Sequence, residues 1–139
     1  MSKAYYWSAM DYFRKRFKSV IFVVASDDPE WIHANLNGSD VIFTMNPNSN
    51  PNHQIELDMS ILSQCNHSII SYGTYSFWSA YLRRKGTTLF VDNHYQNFYH
   101  DPRYVNSKDT KWIPWKDPCV IKKDGVWHFD DNAINCTRH

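Results

Sequence analysis

Residues 58–82, DMSILSQCNHSIISYGTYSFWSAYL, read as a helix, a short strand, a tight turn and a second helix. Asp58, Ile61, Leu62 and Cys65 fall at i, i+3, i+4 and i+7, so one helical face carries three apolar side chains with a carboxylate on their edge. Ile69 and Ile70 centre a short run from His67 to Ser71, and Ser71-Tyr72-Gly73-Thr74 interrupts it before an aromatic helix. A strand that feeds a helix through such a turn leaves free backbone N–H groups and the positive end of the helix dipole facing outward, which suits phosphate. Gly73 permits a tight turn and close approach of a ligand to the backbone. The Thr74 hydroxyl can either cap the helix or bond a phosphate oxygen.

Working outward on the amino side, Tyr5–Phe17 predicts an amphipathic helix, with Tyr6, Ala9, Met10, Phe13 and Phe17 on one face and basic residues around its last turn. Val20–Ala25, VIFVVA, is an unbroken apolar run of the kind buried on both faces of a parallel sheet. It ends at Ser26-Asp27-Asp28-Pro29. Pro29 suits a first helical turn, which makes Asp28 a candidate N-cap for a helix over Glu30–Asn35. Asp27 stands at the carboxyl end of a parallel strand, where open α/β sheets hold their ligands. Val41–Thr44 predicts a second strand, and Met45–Asn52, rich in Asn and Pro, a loop.

On the carboxyl side, Gly86 is expected to cap the helix ending near Leu82, and Thr88–Val91 predicts a further strand. The alternation of four helices and four strands predicts a doubly wound, Rossmann-like α/β lobe over residues 1–116, with a ligand site near Asp27 and Thr74. Trp112–Trp115 reads as an extended anchor on the lobe. Residues 117–139 form an irregular tail in which Val120–Phe129, turning at Asp124-Gly125, predicts a small hairpin.

A chain of 139 residues, 42% hydrophobic, is sized for one domain with a single core. Fifteen basic residues against fourteen acidic leave a formal charge of +1, so no global field draws nucleic acid or an anionic membrane. No run approaches the roughly 20 apolar residues of a membrane span, and no apolar leader opens the chain. The aromatic content of 17% suits core packing first and sugar or base stacking second; Trp78, at helical spacing from Tyr81 and Leu82, is read as core. Cys119 and Cys136 can pair in an oxidising compartment, while Cys65 lies on an apolar helix face as a small filler. Asn37, Asn66 and Asn135 open N-x-S/T triplets; Asn66 is expected to be buried, leaving Asn37 and Asn135 as acceptors.

Other chemistries find little support. Seven histidines form no metal-binding spacing, the P-loop and dinucleotide glycine patterns are missing, and Glu56-Leu57-Asp58 does not place two carboxylates on one face. No metal is therefore expected.

The order of these segments carries a resemblance. SDDPEW at 26–31, DMSILSQCNH at 58–67 and SYGTYSFWSAYL at 71–82, with YYWSAMDYF at 5–13 and WIPW at 112–115, resemble the carboxyl-terminal part of glycosyltransferase family 11, the α-1,2-fucosyltransferases. The resemblance covers about Tyr5 to Trp115. It implies the carboxyl-terminal lobe of a GT-B fold, lumenal Golgi localisation, and metal-independent transfer of L-fucose from GDP-fucose, with inversion, to a galactose-containing glycan. It implies donor-binding roles for six residues. Asp27 and Asp28 would contact the nucleoside, and Asp58, taken as opening its helix, would accept from the guanine edge. Thr74, with Gly73 and Tyr75, would meet the β-phosphate. The H-x-R-R-x-D motif that the family places ahead of the first of these helices has no counterpart in the 139 residues, nor has the acceptor-binding lobe. A non-catalytic GDP-sugar-binding or interaction remnant is the alternative.

Overall fold

The computed structural model describes residues 1–45, 51–92, 109–130 and Cys136. Its elements alternate as expected: α1 (Lys3–Arg14), β1 (Phe22–Val24), α2 (Pro29–Asn35), β2 (Val41–Phe43), α3 (Pro51–Gln64), β3 (Ser68–Ile70), α4 (Thr74–Leu82) and β4 (Gly86–Val91). β5 (Thr110–Trp115), β6 (Val120–Lys123) and β7 (Val126–Phe129) follow. β1 and β2 pair in parallel, and β3, β4 and β5 form a parallel sheet with β4 in the centre. Helices cover both faces, giving a Rossmann-like α/β lobe.

The period of two along each strand sorts the core into two layers. Ile69, Leu89 and Ile113 face α1, meeting Ala9, Met10 and Phe13 together with Phe22 of β1. Their sequence neighbours Ile70, Phe90 and Trp112 point the other way, onto Phe77 and Ala80 of α4. α2 lies beside α1, where the Trp7 indole donates to the Asn35 carbonyl at 2.9 Å. α3 lies beside α4, where the Tyr75 hydroxyl donates to the Ile55 carbonyl at 2.8 Å.

α1 runs against the strands. Its N-cap Ser2 accepts from the Tyr5 amide and donates its hydroxyl to Asp117, just past the carboxyl end of β5, at 2.6 Å. The Tyr5 hydroxyl donates to the Ile70 carbonyl at the carboxyl end of β3. At the other end of α1, Phe13 packs on His67 ahead of β3, and Arg14 forks onto Asp40 ahead of β2 at 2.7 and 2.9 Å.

Several expectations are corrected. Trp112–Trp115, expected as an extended anchor on the lobe, is extended and packed there but is most of a regular strand, β5, paired along its length with β4. α3 starts at Pro51, so Asp58 lies about two turns inside the helix rather than opening it, and the last two residues of the expected Met45–Asn52 loop are helical. β1 is not buried on both sides: Phe22 is buried, Val23 and Val24 are half-buried, and Ile21 is exposed. Gly86 does not cap α4, which closes at Leu82 with Arg83 as C-cap and Arg84 in the left-handed region at φ 60°. Trp78 is 45% exposed rather than core, and Asn66 is exposed, as is Asn37. Asn135 lies outside the described residues.

The hairpin forms as predicted, with β6 antiparallel to β7 and both Asp124 and Gly125 at positive φ, the geometry of a two-residue turn that matches strand twist. Cys119 and Cys136 are joined in a disulfide with Cα atoms 5.5 Å apart. Cys65 is a free, half-buried thiol.

Candidate functional site

A cleft of about 1180 Å³ opens between β1 and β3. Its mouth lies at the carboxyl ends of these strands, where the segments after β1 and β3 diverge, and is lined by Ser26, Asp27, Asp58, Ser71, Tyr72 and Tyr75. This is the position at which doubly wound sheets hold ligands, because chains leaving adjacent strands toward opposite faces leave a crevice between them.

Three of the six predicted residues line the mouth. Asp27 is exposed directly after β1. Asp58, 7% exposed, reaches the mouth from α3; among the described residues its hydrogen bond comes from the Gln54 amide, one turn earlier, at 2.6 Å to Oδ1. Tyr75 lines the mouth from the first turn of α4, and burial, followed by the negative charges of Asp58 and Glu56, raises its pKa above 10.

Asp28, Gly73 and Thr74 do not line it. Asp28 caps α2, its carboxylate accepting from the Trp31 amide at 2.9 Å while its own amide donates to the Ser26 hydroxyl at 3.0 Å. Gly73 is the N-cap of α4 at φ 102°, with no side-chain hydrogen bond closing the cap, and Thr74 is exposed as the first helical residue. The Ser76 hydroxyl donates to the Ser71 and Gly73 carbonyls at 2.9 and 3.1 Å and so fixes the turn between β3 and α4.

Two contributors were not anticipated. Gln54 orients Asp58, and the i, i+4 spacing that joins them was hidden because the helix was taken to start later. Tyr6, which lines the cleft beneath the mouth, is bonded to Ser71; burial raises its pKa, the Ser71 bond opposes the rise, and the Asp117 charge adds to it. Among the described residues no group of three His, Cys, Asp or Glu side chains is placed to hold a metal ion, and no helix is long and apolar enough to cross a membrane.

Comparison with known proteins decides the family. The model of glycosyl transferase family 11 matches residues 2–117. The chain belongs to this family. It is 39% identical over 93 residues to the cattle galactoside 2-alpha-L-fucosyltransferase SEC1, covering 66% of this chain and 24% of the relative. The cattle galactoside alpha-(1,2)-fucosyltransferases 1 and 2 are 41% and 38% identical over 93 and 94 residues, covering 25% and 26% of their lengths. The family 11 chain thus spans about a quarter of the length of these curated relatives. No solved structure gives a significant match.

Proposed function

We propose that this chain is the donor-binding lobe of a galactoside α-1,2-fucosyltransferase, holding GDP-fucose at the cleft mouth for transfer of L-fucose to a galactose-containing glycan. The observation that supports the reading best is the convergence of Asp27, Asp58 and Tyr75, from three different segments, on one crevice at the strand carboxyl ends of a family 11 fold.

In this reading Asp58 accepts from the guanine edge. A nearly buried carboxylate selects guanine over adenine because a base without matching donors leaves it desolvated and under-bonded. Asp27 meets the nucleoside, and Asp28, by capping α2, fixes the turn that presents it. Gly73, Thr74 and Tyr75 surround the start of α4, whose free N–H groups and dipole favour the diphosphate. As the bond to fucose breaks, negative charge grows on the leaving GDP, and this helix end stabilises it without a metal. The acceptor glycan and the turnover step belong to the complete enzyme, while the 139 residues supply donor recognition. The Cys119–Cys136 disulfide supports an oxidising compartment such as the Golgi lumen.

Isothermal titration of the purified chain with GDP-fucose, GDP and ADP, with a chelator present, tests the proposal. Binding of both guanine nucleotides with ADP discriminated at least about tenfold is expected. Equal binding of ADP and GDP, or loss of binding on chelation, would overturn it.

A further inference from the structure

Asn37-Gly38-Ser39, in the loop between α2 and β2, is an N-x-S triplet without proline that the donor site does not use. Transfer of an oligosaccharide to asparagine asks three things of such a triplet. The carboxamide must be uncommitted, the hydroxyl two residues on must be within reach of the transferring enzyme, and the backbone must lie in a surface loop rather than in a helix or strand.

The loop meets all three. Leu36, the C-cap of α2, is buried, and the Gly38 carbonyl accepts from the Val41 amide at 3.1 Å. A Cβ at Gly38 would point inward, 3.2 Å from Asp40 Oδ1 and 3.5 Å from the Trp7 ring. Asp40 is held by the Arg14 guanidinium, and its carbonyl accepts from the Phe22 amide at 2.8 Å. Alternate residues 36, 38 and 40 therefore tie the loop to the lobe, while Asn37 and Ser39 between them are exposed. Among the described residues, neither the Asn37 carboxamide nor the Ser39 hydroxyl makes a hydrogen bond.

The triplet at Asn66 differs, although Asn66 is exposed as well. Ser68 opens β3 opposite Thr88, His67 packs on Phe13 and Phe17 and accepts from the Thr87 amide, and the Asn66 carbonyl accepts from Arg83 at 2.8 Å. That triplet is loose only before the sheet forms, whereas the one at Asn37 stays accessible in the folded lobe. The Asn37 loop leads into the amino end of β2, at the opposite end of the strands from the cleft mouth, and residues 37–40 do not line the cleft. Sugars attached there extend into solvent and leave the mouth open. The Cys119–Cys136 disulfide is an independent second observation, because it supports folding in an oxidising compartment, where N-linked transfer takes place.

We propose that Asn37 carries an N-linked oligosaccharide. The Asn37 carboxamide nitrogen forms a bond to C1 of the first sugar of a lipid-pyrophosphate-linked oligosaccharide. The bond from C1 to the pyrophosphate oxygen breaks, the lipid pyrophosphate leaves with the electron pair, and one amide proton passes to the transferring enzyme. The Ser39 hydroxyl is recognised and not consumed, and nothing is oxidised or reduced. Since Asn37 and Ser39 face away from the core, the modification costs the fold no contact. The inference stands on the loop and the disulfide and does not depend on the nucleotide reading.

Peptide mass spectrometry of the chain expressed through the secretory pathway of a eukaryotic cell tests it. Peptide:N-glycosidase, which leaves Asp wherever a glycan was attached to Asn, marks each occupied site. Conversion of Asn37 to Asp is expected in most molecules, and it should be lost in Asn37→Gln and in Ser39→Ala but kept in Ser39→Thr. Both loss variants should unfold at the same urea concentration as the deglycosylated parent, since neither side chain holds the lobe together. The enzyme should also release the glycan from the native parent without denaturant. An unconverted Asn37 in a chain whose Cys119–Cys136 disulfide has formed would overturn the proposal. A sugar mass on this loop that survives Asn37→Gln would assign the modification to the Ser39 hydroxyl and overturn it too, as would release only after denaturation, which would put Asn37 inside the fold.

Discussion

On the proposed function, Asp58→Asn separates a guanine contact from the fold. The carboxylate is 7% exposed and accepts from Gln54 at 2.6 Å, and an Asn side-chain oxygen can keep that bond. The substitution removes the charge and turns one acceptor into an NH2 donor where the proposal puts the donor edge of guanine. A hydrogen bond to a charged group contributes about 1.5–3 kcal/mol, and a donor set against a donor forfeits a further bond. Together these give a loss of roughly 2–4 kcal/mol, or about 30- to 1000-fold in Kd for GDP. ADP, which offers no matching pair of donors, should change less than about threefold. The Tyr75 pKa should fall back toward 10, because the Asp58 charge contributes to its rise. Titration calorimetry with GDP and ADP, with the denaturation midpoint as folding control, provides the measurement. A normally folded Asp58→Asn chain that bound GDP within threefold of the parent would refute the role given to this acid.

Three further outcomes test the frame around the site. Gly86→Ala should lower stability by about 3 kcal/mol in chemical denaturation, because φ is 79° there and a Cβ would collide with the Asn66 carbonyl and sit 2.5 Å from Arg83 Nη1; a loss under about 1 kcal/mol would show that the α3–β3 junction yields freely. His67 packs on Phe13 and Phe17, its Nδ1 accepts from the Thr87 amide, and burial, then the Arg83 charge, holds its pKa below 6.5. With the folded pKa below the unfolded one, its contribution is whole above pH 6.5 and declines as pH falls toward the folded value; His67→Phe should flatten the fall in urea midpoint between about pH 7.5 and about pH 5, and an unchanged slope would remove the assignment. Cys136→Ser opens a disulfide with a sequence separation of 17 and should cost about 3 kcal/mol at the hairpin, read as early proteolysis within residues 120–129; equal protease resistance would show that the tail is held by other contacts.

Where the sequence was legible, a local rule and the tertiary demand agreed. VIFVVA was legible as a strand, Asp28 before Pro29 as a candidate cap, and Asp124-Gly125 between apolar runs as a candidate hairpin turn. β5 was missed because Pro114 lies within it. Proline lacks the donor a central strand needs but is tolerated on an edge, and among the described residues β5 is the last strand after β4. α3 was started late because its first residues are Pro, Asn and His, which resemble a loop until Pro51 is recognised as a first-turn residue. Trp78 was read as core from its spacing alone, but the apolar stripe of α4 passes through Phe77 and Ala80, and Trp78 falls beside it.

The site shows the same division more sharply. Of two adjacent acids after β1, the one with a helix to cap is turned inward onto backbone, and its neighbour is left facing the cleft. Sequence alone supplies the pair, and only the helix start tells which member is spent on structure. Asp58 was singled out for sitting on the edge of an apolar face, a reason that holds wherever its helix begins, so the error over α3 moved its frame without moving it from the site.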